Sequence, residues 1–265
     1  MIDYLYVQIS AQLFSLFTAI YSYRKKSVSG SGLGAMLIVS SIFIWLWLIP
    51  QLVILFLMFA SSSLLTMYKK EHKQEINEIV EKKGPRDYIQ AICNLGVAFL
   101  LGLIYYLNNS EAILVAFCSA VAAANGDSWA SEIGGLSKEK PVMITNLKPV
   151  EKGISGGITL IGTFGGVAGS LFIAAFSIML LQNIASLQTF LIITFAGVVG
   201  LLFDSYIGAL FQSAFKDSEG KIIEYSPCRE RPVKGFAWIN NDMVNLLTTI
   251  FAAAAGWTIY ALFLV

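Results

Sequence analysis

Charged residues are scarce in this chain of 265 residues, and so are histidine and cysteine. Only 13% of the residues are charged and 56% are hydrophobic, with one histidine and three cysteines. A soluble domain carries about a quarter charged residues, so the composition indicates a polytopic membrane protein. His72, Cys93, Cys118 and Cys228 are not clustered, which argues against a zinc site or a disulfide framework.

Two familiar sequence signals are also missing. The segment Met1–Tyr4 has no basic region and no small-residue cleavage site, so we expect the first apolar segment to be a retained span rather than a signal peptide. The chain contains no Gly-x-x-x-x-Gly-Lys-Ser/Thr sequence, which excludes a Walker A loop.

Apolar windows of about twenty residues mark the membrane spans. Pro50-Gln51 divides one long apolar run into a helical hairpin with a tight turn. We therefore predict an all-α polytopic membrane protein, with a single transmembrane helical domain over residues 1–265 and about eight transmembrane helices. The predicted spans are 2–22, 33–49, 51–67, 88–107, 111–126, 155–181, 188–212 and 241–264.

The 18 Lys and Arg residues lie in every second loop between these spans. The loops at 47–51, 108–111 and 182–187 contain none of them. By the positive-inside rule the four basic loops are cytoplasmic and both termini are outside. Because the basic loops are long and hold nearly every charged residue, we expect the chemistry to take place at the cytoplasmic face.

The segment Asn125–Gly134 places two carboxylates where the fifth span is predicted to leave the bilayer. Ionisable groups at this depth are costly and usually have a function. Asp127, Ser128, Ser131 and Glu132 recur at helical spacing, so one helical turn is expected to direct them all at one ligand. The structural alternatives are an interfacial helix end for the aspartate and a solvated loop for the glutamate.

Asp204 lies within the otherwise apolar seventh span, about two turns from its cytoplasmic end. It shares one helical stripe with Gly208 and Gln212, which predicts that the three face a bundle interior. Residues 204–206 repeat the Asp-Ser-aromatic pattern of residues 127–129, which hints at an internal duplication.

The eighth span begins with Asn241, Asp242 and Asn245 at three- and four-residue spacing. Asp127, Asp204 and Asp242 are therefore expected at similar depth on three different helices. Three acidic groups at one level predict an oxygen-rich site for Mg²⁺, which favours carboxylates together with phosphate oxygens. In the structural alternative Asp242 is simply stabilised by the dipole of its own helix.

A cation and a glycine precede each even-numbered span on the predicted cytoplasmic side. Glycines at a helix start expose backbone N–H groups, and the helix dipole adds partial positive charge, so four such turns predict a phosphate-binding rim. Anchoring by the positive-inside rule is the alternative. The glycines at 162–169 are assigned to close helix packing. The four turns lie at 26–32, 83–87, 148–157 and 234–235.

Five segments resemble one integral membrane family, which contains the plant phytyl-phosphate kinase, human transmembrane protein 19 and many uncharacterised prokaryotic members. The resemblance covers most of the chain, and the Asp-Ser-Trp-Ala-Ser-Glu-Ile-Gly block is highly specific. Gly126 stands where the family commonly has alanine, and Ile154 where threonine is frequent, which removes one hydroxyl contact to a phosphate. The segments are 83–90, 125–134, 152–157, 204–209 and 241–245.

The resemblance implies a kinase that uses CTP or another nucleoside triphosphate to convert an isoprenoid monophosphate to its diphosphate at the cytoplasmic face. Such an acceptor is already ionised near neutral pH, so the reaction needs positioning, metal and cations rather than a general base. The expected partners are a membrane prenyl phosphate and the nucleotide, with no nucleic acid and with a homo-oligomer left open. The expected location is the plasma membrane of a prokaryote.

Residue roles follow from the motifs and the resemblance together. We predict Asp127, Asp204, Asp242 and Lys152 as catalytic residues, and Asp127, Glu132, Asp204 and Asp242 as ligands of Mg²⁺. The residues predicted to bind lipid phosphate and nucleotide are Lys83, Gly84, Arg86, Gln90, Asn94, Asn125, Ser128, Glu132, Lys148, Gly153, Ser155, Gly156, Gly157, Ser205, Gln212, Asn241 and Asn245.

Two other functions stay open. A CTP-dependent cytidylyltransferase acting on a lipid phosphate would use the same metal and cations. A lipid-phosphate transporter or flippase would suit repeated Asp-Ser elements in two spans. Minimal outer loops argue against transport.

Overall fold

The computed structural model describes residues 2–68, 84–216, 220–225 and 231–264. Within these residues the chain is built from α-helices, as predicted, with two pairs of two-residue strands in the loops. The helices are α1 (Ile2–Arg24), α2 (Gly30–Trp45), α3 (Ile49–Met67), α4 (Tyr88–Asn108), α5 (Glu111–Gly134), α6 (Leu160–Leu180), α7 (Leu187–Phe211) and α8 (Asn241–Phe263).

Helices α3 to α8 are the 6 described helices that are long and apolar enough to cross a membrane. Helix α2 has only 16 residues, fewer than the roughly 20 that a span needs. Helix α1 carries polar side chains toward α2, where Gln12 Nε2 donates to Ser41 Oγ at 2.9 Å. The chain is therefore an all-α integral membrane protein, while the count of eight spans and the outside location of the termini stay predictions.

Helix α5 is the central helix of the bundle. Helices α3, α4, α6, α7 and α8 all pack against it, and it is buried almost without interruption from Ala112 to Gly126. Small residues allow this enclosure, because a Cβ atom at Gly126 would lie 3.0 Å from the carbonyl oxygen of Gly166 on α6. At Gly169 it would lie 3.0 Å from Trp129 Cγ. The predicted close packing of glycines 162–169 is thus confirmed.

Two predicted span boundaries were wrong. Helix α5 continues past residue 126 to Gly134, so the predicted span ended too early, and the segment 125–134 is helical as its spacing indicated. Helix α6 begins at Leu160, not 155, because the side chain of Thr159 accepts a hydrogen bond from Gly162 N and caps the helix there. Gly156, with φ of 84°, lies outside any helix.

Residues 142–158 form a hairpin instead of a helix start. Strand β1 (Val142–Met143) pairs antiparallel with β2 (Gly157–Ile158), with Val142 opposite Ile158. In the loop after α7, β3 (Phe215–Lys216) pairs antiparallel with β4 (Ile222–Ile223) in the same way. The glycines at 153–157 therefore shape a turn and a strand, and they do not present N–H groups at the first turn of α6.

The long loops meet at one end of the bundle, which we call the loop face. It is formed by the C-termini of α1, α3, α5 and α7 and the N-termini of the other four described helices. The turn after α1 joins the turn before α4 there, since Ser29 N donates to Arg86 O at 2.9 Å. At the opposite end Tyr260 Oη donates to Glu111 Oε2 at 2.7 Å. The described parts of the four basic loops therefore all lie at the loop face, while residues 69–83 lie outside the described residues.

Candidate functional site

Two aspartates from different helices face each other just inside the loop face. Asp127 lies on α5 and Asp204 on α7, each about two turns before its helix ends, and their carboxylates interact electrostatically. Thr248 of α8 donates a hydrogen bond to Asp204 Oδ2 at 2.8 Å. Three helices thus bring together two carboxylates, which we call the aspartate pair, and a hydroxyl. Two such groups repel each other unless a proton or a cation lies between them.

Asp242 does not lie at the depth of the aspartate pair, and the predicted common level was wrong for this residue. Thr248, which bonds Asp204, follows Asp242 by about nine ångströms along α8. Asp242 is in the first turn of α8 and is 5% exposed. A carboxylate there is stabilised by the dipole of its own helix. The structural alternative therefore accounts for its position.

The four predicted magnesium ligands do not form a preformed cage. Over the described ranges, no three His, Cys, Asp or Glu side chains come close enough to hold a metal ion. Mg²⁺ usually binds through one or two carboxylates and takes its other ligands from water and substrate phosphates. Asp127 and Asp204 fit that pattern, since the pair supplies two carboxylates that repel each other in the absence of a cation.

Glu132 lies on a different side of α5, toward Arg86. It accepts a hydrogen bond from Thr66 Oγ1 of α3, and its charge interacts with the Arg86 guanidinium. Five residues turn an α-helix about 140° past a full turn, so Asp127 and Glu132 point to different neighbours. The expectation that one turn of helix aims both carboxylates at one ligand was wrong.

Arg86 is held in place by protein groups at the start of α4. Its Nη1 donates to Ser63 Oγ at 3.1 Å, and its guanidinium lies 5.7 Å from the centre of the Phe59 ring. Burial lowers the pKa of Arg86, and the charge of Glu132 opposes that shift. These contacts connect α3, α4 and α5, and a role for Arg86 in phosphate binding stays a prediction.

Asn125 joins three helices instead of facing a ligand. It is fully buried, Ser61 Oγ of α3 donates to its Oδ1 at 3.1 Å, and its Nδ2 donates to Gly169 O of α6 at 2.8 Å. Trp129 Nε1 donates to the same serine at 3.2 Å. Because both ends of the amide are engaged, the structure gives Asn125 a packing role where ligand binding was predicted.

Gln90 and Asn94 also have local roles. Gln90 N donates to Asp87 Oδ1 at 2.8 Å and Asp87 N donates to Gln90 Oε1 at 3.2 Å, which makes a capping box at the start of α4. Asn94 Nδ2 donates to Gln90 O at 2.9 Å. Gln90 and Asn94 therefore bind backbone groups of α4 and its cap, whereas the sequence predicted that they bind phosphate or nucleotide. Gly84 is exposed, and Lys83 lies outside the described residues.

The hairpin of residues 142–158 docks on the end of α7 through Ser155. Its backbone N donates to Glu224 Oε1 at 2.8 Å, and its Oγ donates to Gln212 Oε1 at 2.7 Å. A Cβ atom on Gly208 would collide with Ser155 Oγ. Ser155 is therefore in contact with Gln212 and adjacent to Gly208. The sequence predicted Ser155 and Gln212 as site residues, and it placed Gly208 and Gln212 on one helical stripe.

Gly156 fits against α7 for a steric reason. Its φ of 84° is in the left-handed region, and a Cβ atom there would meet the backbone and side chain of Ala209. A glycine is therefore required both by backbone conformation and by the closeness of the helix.

The two lysines of the hairpin, Lys148 and Lys152, differ in their contacts. Lys152 Nζ donates to the carbonyl oxygen of Ser137 at 2.6 Å, whereas Lys148 is exposed. Glu151 pairs with Lys140 at 2.9 Å, which lowers the pKa of Glu151. The catalytic role of Lys152 and the binding role of Lys148 stay predictions. So do the roles of Ser128, Gly153, Gly157, Ser205, Asn241 and Asn245.

Sequence reasoning missed Glu224 as a site residue, and it included Lys234 only in the predicted phosphate-binding rim. Glu224 is 8% exposed and interacts electrostatically with Asp204. Lys234 Nζ donates to Gly208 O at 3.1 Å, and burial lowers the pKa of Lys234 while Glu224 opposes the shift. No sequence pattern singles out Glu224, because many other charged residues lie in the same loop. Lys234 had a signal in the Lys-Gly turn before α8.

Comparisons with known proteins agree with the resemblance of the motifs. The family model described as Integral membrane protein DUF92 matches residues 13–253. Protein PGR of Arabidopsis thaliana is 28% identical over 281 residues, covering 95% of this chain and 97% of that protein. No solved structure matches the chain.

Two further relatives align over part of their length. Uncharacterized membrane protein MJ0933 of Methanocaldococcus jannaschii is 37% identical over 147 residues, covering 56% of this chain and 51% of that protein. Protein VTE6, chloroplastic, of Arabidopsis thaliana is 28% identical over 184 residues, covering 68% of this chain and 49% of that protein. The chain thus spans about half the length of these two relatives.

Proposed function

The chain belongs to the integral membrane protein family DUF92, and from that premise we propose that it is a phosphotransferase acting on a membrane lipid phosphate. The proposed donor is CTP or another nucleoside triphosphate, and the proposed acceptor is an isoprenoid monophosphate, as in the plant phytyl-phosphate kinase of the family that the motifs resemble. The observation that carries the proposal is the aspartate pair, which α5 and α7 hold inside the loop face.

The proposed reaction needs no general base. A non-bridging oxygen of the prenyl monophosphate attacks the γ-phosphorus of CTP and forms a new P–O bond. The bond between that phosphorus and the β–γ bridging oxygen breaks, and CDP leaves with the electron pair. Because the acceptor phosphate is already ionised, catalysis consists of positioning and charge stabilisation.

Asp127 and Asp204 would hold Mg²⁺ together with phosphate oxygens. Bound there, the ion would neutralise charge that develops on the transferred phosphoryl group. Thr248 fixes the orientation of the Asp204 carboxylate through its 2.8 Å hydrogen bond. The electrostatic repulsion within the aspartate pair supports a cation at this position.

The position of the aspartate pair supports a lipid acceptor. Both carboxylates lie on membrane helices, about two turns inside the loop face, so a phosphate that reaches them can keep its isoprenoid tail in the bilayer. The basic loops lie at the same end of the bundle and would attract the anionic head group and nucleotide. For the location we propose the plasma membrane of a prokaryote, although the relatives include plant as well as archaeal proteins.

The test is an assay of purified protein in lipid nanodiscs with a panel of prenyl monophosphates and labelled CTP. We expect Asp204→Asn to lower phosphate transfer about a hundredfold or more, in line with the loss of a transition-state contact. The asparagine can still accept the Thr248 hydrogen bond, so the fold should be retained. Glu111→Gln is the matched control, since it also converts a carboxylate to an amide but at the opposite end of the bundle.

The label distinguishes the competing functions. Transfer of γ-label to the lipid supports the kinase, whereas transfer of α-label identifies a cytidylyltransferase. Movement of lipid phosphate across the bilayer without any label transfer identifies a transporter or flippase. Wild-type transfer by Asp204→Asn would refute the assignment of the aspartate pair.

A further inference from the structure

A cavity of ≈ 480 Å³ lies at the loop face between the hairpin and the loop that follows α7. Its size is within the range of about 300–1,000 Å³ that is typical of small-molecule sites. Its lining includes the apolar side chains of Met143, Val150, Ile154 and Ile222. Such side chains can pack against the flat face of a ring.

Polar side chains of the same lining adjoin the aspartate pair. Lys234 lines the cavity, and its Nζ donates to the carbonyl oxygen of Gly208, one helical turn after Asp204. Glu224 lines the cavity as well and interacts electrostatically with Asp204. A ligand that fills the cavity would therefore reach toward the proposed reaction centre.

Two cations and two carboxylates line the cavity, namely Lys221 and Lys234 with Glu151 and Glu224. Both carboxylates have partners within the protein, since Glu224 accepts from Ser155 N at 2.8 Å and Glu151 pairs with Lys140 at 2.9 Å. Burial lowers the pKa of Lys234, and Glu224 opposes that shift. A phosphate beside a desolvated ammonium group offsets the cost of burying that group.

The location of the cavity separates a water-soluble ligand from a lipid. All of its lining residues belong to loops and short strands beyond the helix ends, from Met143 in β1 to Lys234 before α8. A prenyl chain must stay between membrane helices, so its tail cannot extend from this cavity. A nucleotide has no such restriction.

We propose that this cavity binds the nucleoside triphosphate donor, with the base against the apolar side chains and the phosphates between Lys221, Lys234 and the aspartate pair. The inference rests on the proposed function, because it names the donor site of that reaction. It moves the nucleotide away from Lys148 and Lys152, which do not line the cavity, and toward two lysines of the loop after α7.

The test measures binding of α-labelled CTP to the full chain in nanodiscs, without acceptor lipid. We expect Lys221→Gln and Lys234→Gln each to weaken binding about tenfold, which corresponds to about 1.4 kcal/mol. Lys138→Gln is the matched control, because Lys138 is exposed and does not line the cavity. Ile154→Trp should fill the cavity and abolish binding, whereas Leu147→Trp, at a site 70% exposed on the same hairpin, should not.

The outcomes separate this inference from the proposed function. If wild-type protein binds CTP and transfers phosphate while Lys234→Gln and Lys221→Gln bind it with unchanged affinity, the inference is overturned and the kinase proposal stands. If wild-type protein neither binds a nucleoside triphosphate nor transfers label, both are overturned. Because the inference is judged on the two lysine variants, and Lys221→Gln removes no hydrogen bond to a helix that is described above, the result does not depend on whether the tryptophan variant folds.

Discussion

The docking of the hairpin on α7 can be tested by adding one methyl group and removing one hydroxyl. In Gly208→Ala the new Cβ would collide with Ser155 Oγ. The next atoms are Ser155 Cβ at 3.5 Å and Gln212 Oε1 at 3.6 Å, which are ordinary contact distances. The hydroxyl is thus the obstacle, and Ser155→Ala removes it.

The expected energies follow from these contacts. Ser155→Ala deletes the hydrogen bond to Gln212 Oε1, an acceptor on a residue only 2% exposed, and should cost about 1.4 kcal/mol. Gly208→Ala should cost about 2 kcal/mol through overpacking. In the double variant the methyl group occupies the space of the hydroxyl, so the cost should stay near that of Ser155→Ala. The coupling of about 2 kcal/mol is within the range of contacting residues.

Hydrogen–deuterium exchange of residues 142–158 measures the docking directly. Since about 1.4 kcal/mol corresponds to a factor of ten, we expect exchange to accelerate about tenfold in Ser155→Ala and about thirtyfold in Gly208→Ala. The double variant should again show about tenfold, and not the roughly three-hundredfold of independent effects. Independent effects would refute the contact. Gly30→Ala is the control, because its Cβ would have no atom within 4 Å.

Two further predictions concern charged side chains at the loop face. Glu132→Gln should lower stability by about 1–2 kcal/mol, because the half-buried Arg86 loses its carboxylate partner. It should leave the magnesium concentration for half-maximal transfer unchanged, and a raised magnesium requirement would return Glu132 to the metal site. Burial holds the pKa of Lys234 below 10.5 in the folded protein. At pH values between this lowered pKa and 10.5, the unfolded chain binds more protons than the folded chain, so the free energy of unfolding rises with pH in that range. The melting temperature should depend less on pH in Lys234→Gln, and an equal slope would contradict the burial.

The helices could be predicted because their boundaries are encoded locally. Helix α8 begins at Asn241 since the side chain of Asn240 accepts from Met243 N, and Pro50 lies in the first turn of α3, where it is tolerated. Apolar length and the distribution of basic residues then place the loops on one face. The start of α6 was missed because the pairing of Val142 with Ile158 is non-local.

The composition of the site could be predicted only in part. Helical spacing fixes the angle between Asp127 and Glu132, but it does not say which neighbours each one meets. Only the packing of α3 and α7 around α5 assigns Glu132 to Thr66 and Asp127 to Asp204. Glu224 reaches the site through the fold of its loop, for which the sequence has no periodic signal.

The enclosure of α5 has a consequence for how the protein is made. Of the candidate spans it has the lowest mean hydropathy and the largest buried share, 78% against 17–39% for the others. A segment with Glu111 at one end and Asp127 and Glu132 near the other partitions weakly into lipid by itself. We therefore expect its stable insertion during synthesis to depend on neighbours that come later in the chain, such as α6 and α8. For this helix, entering the bilayer and folding would then be a single event.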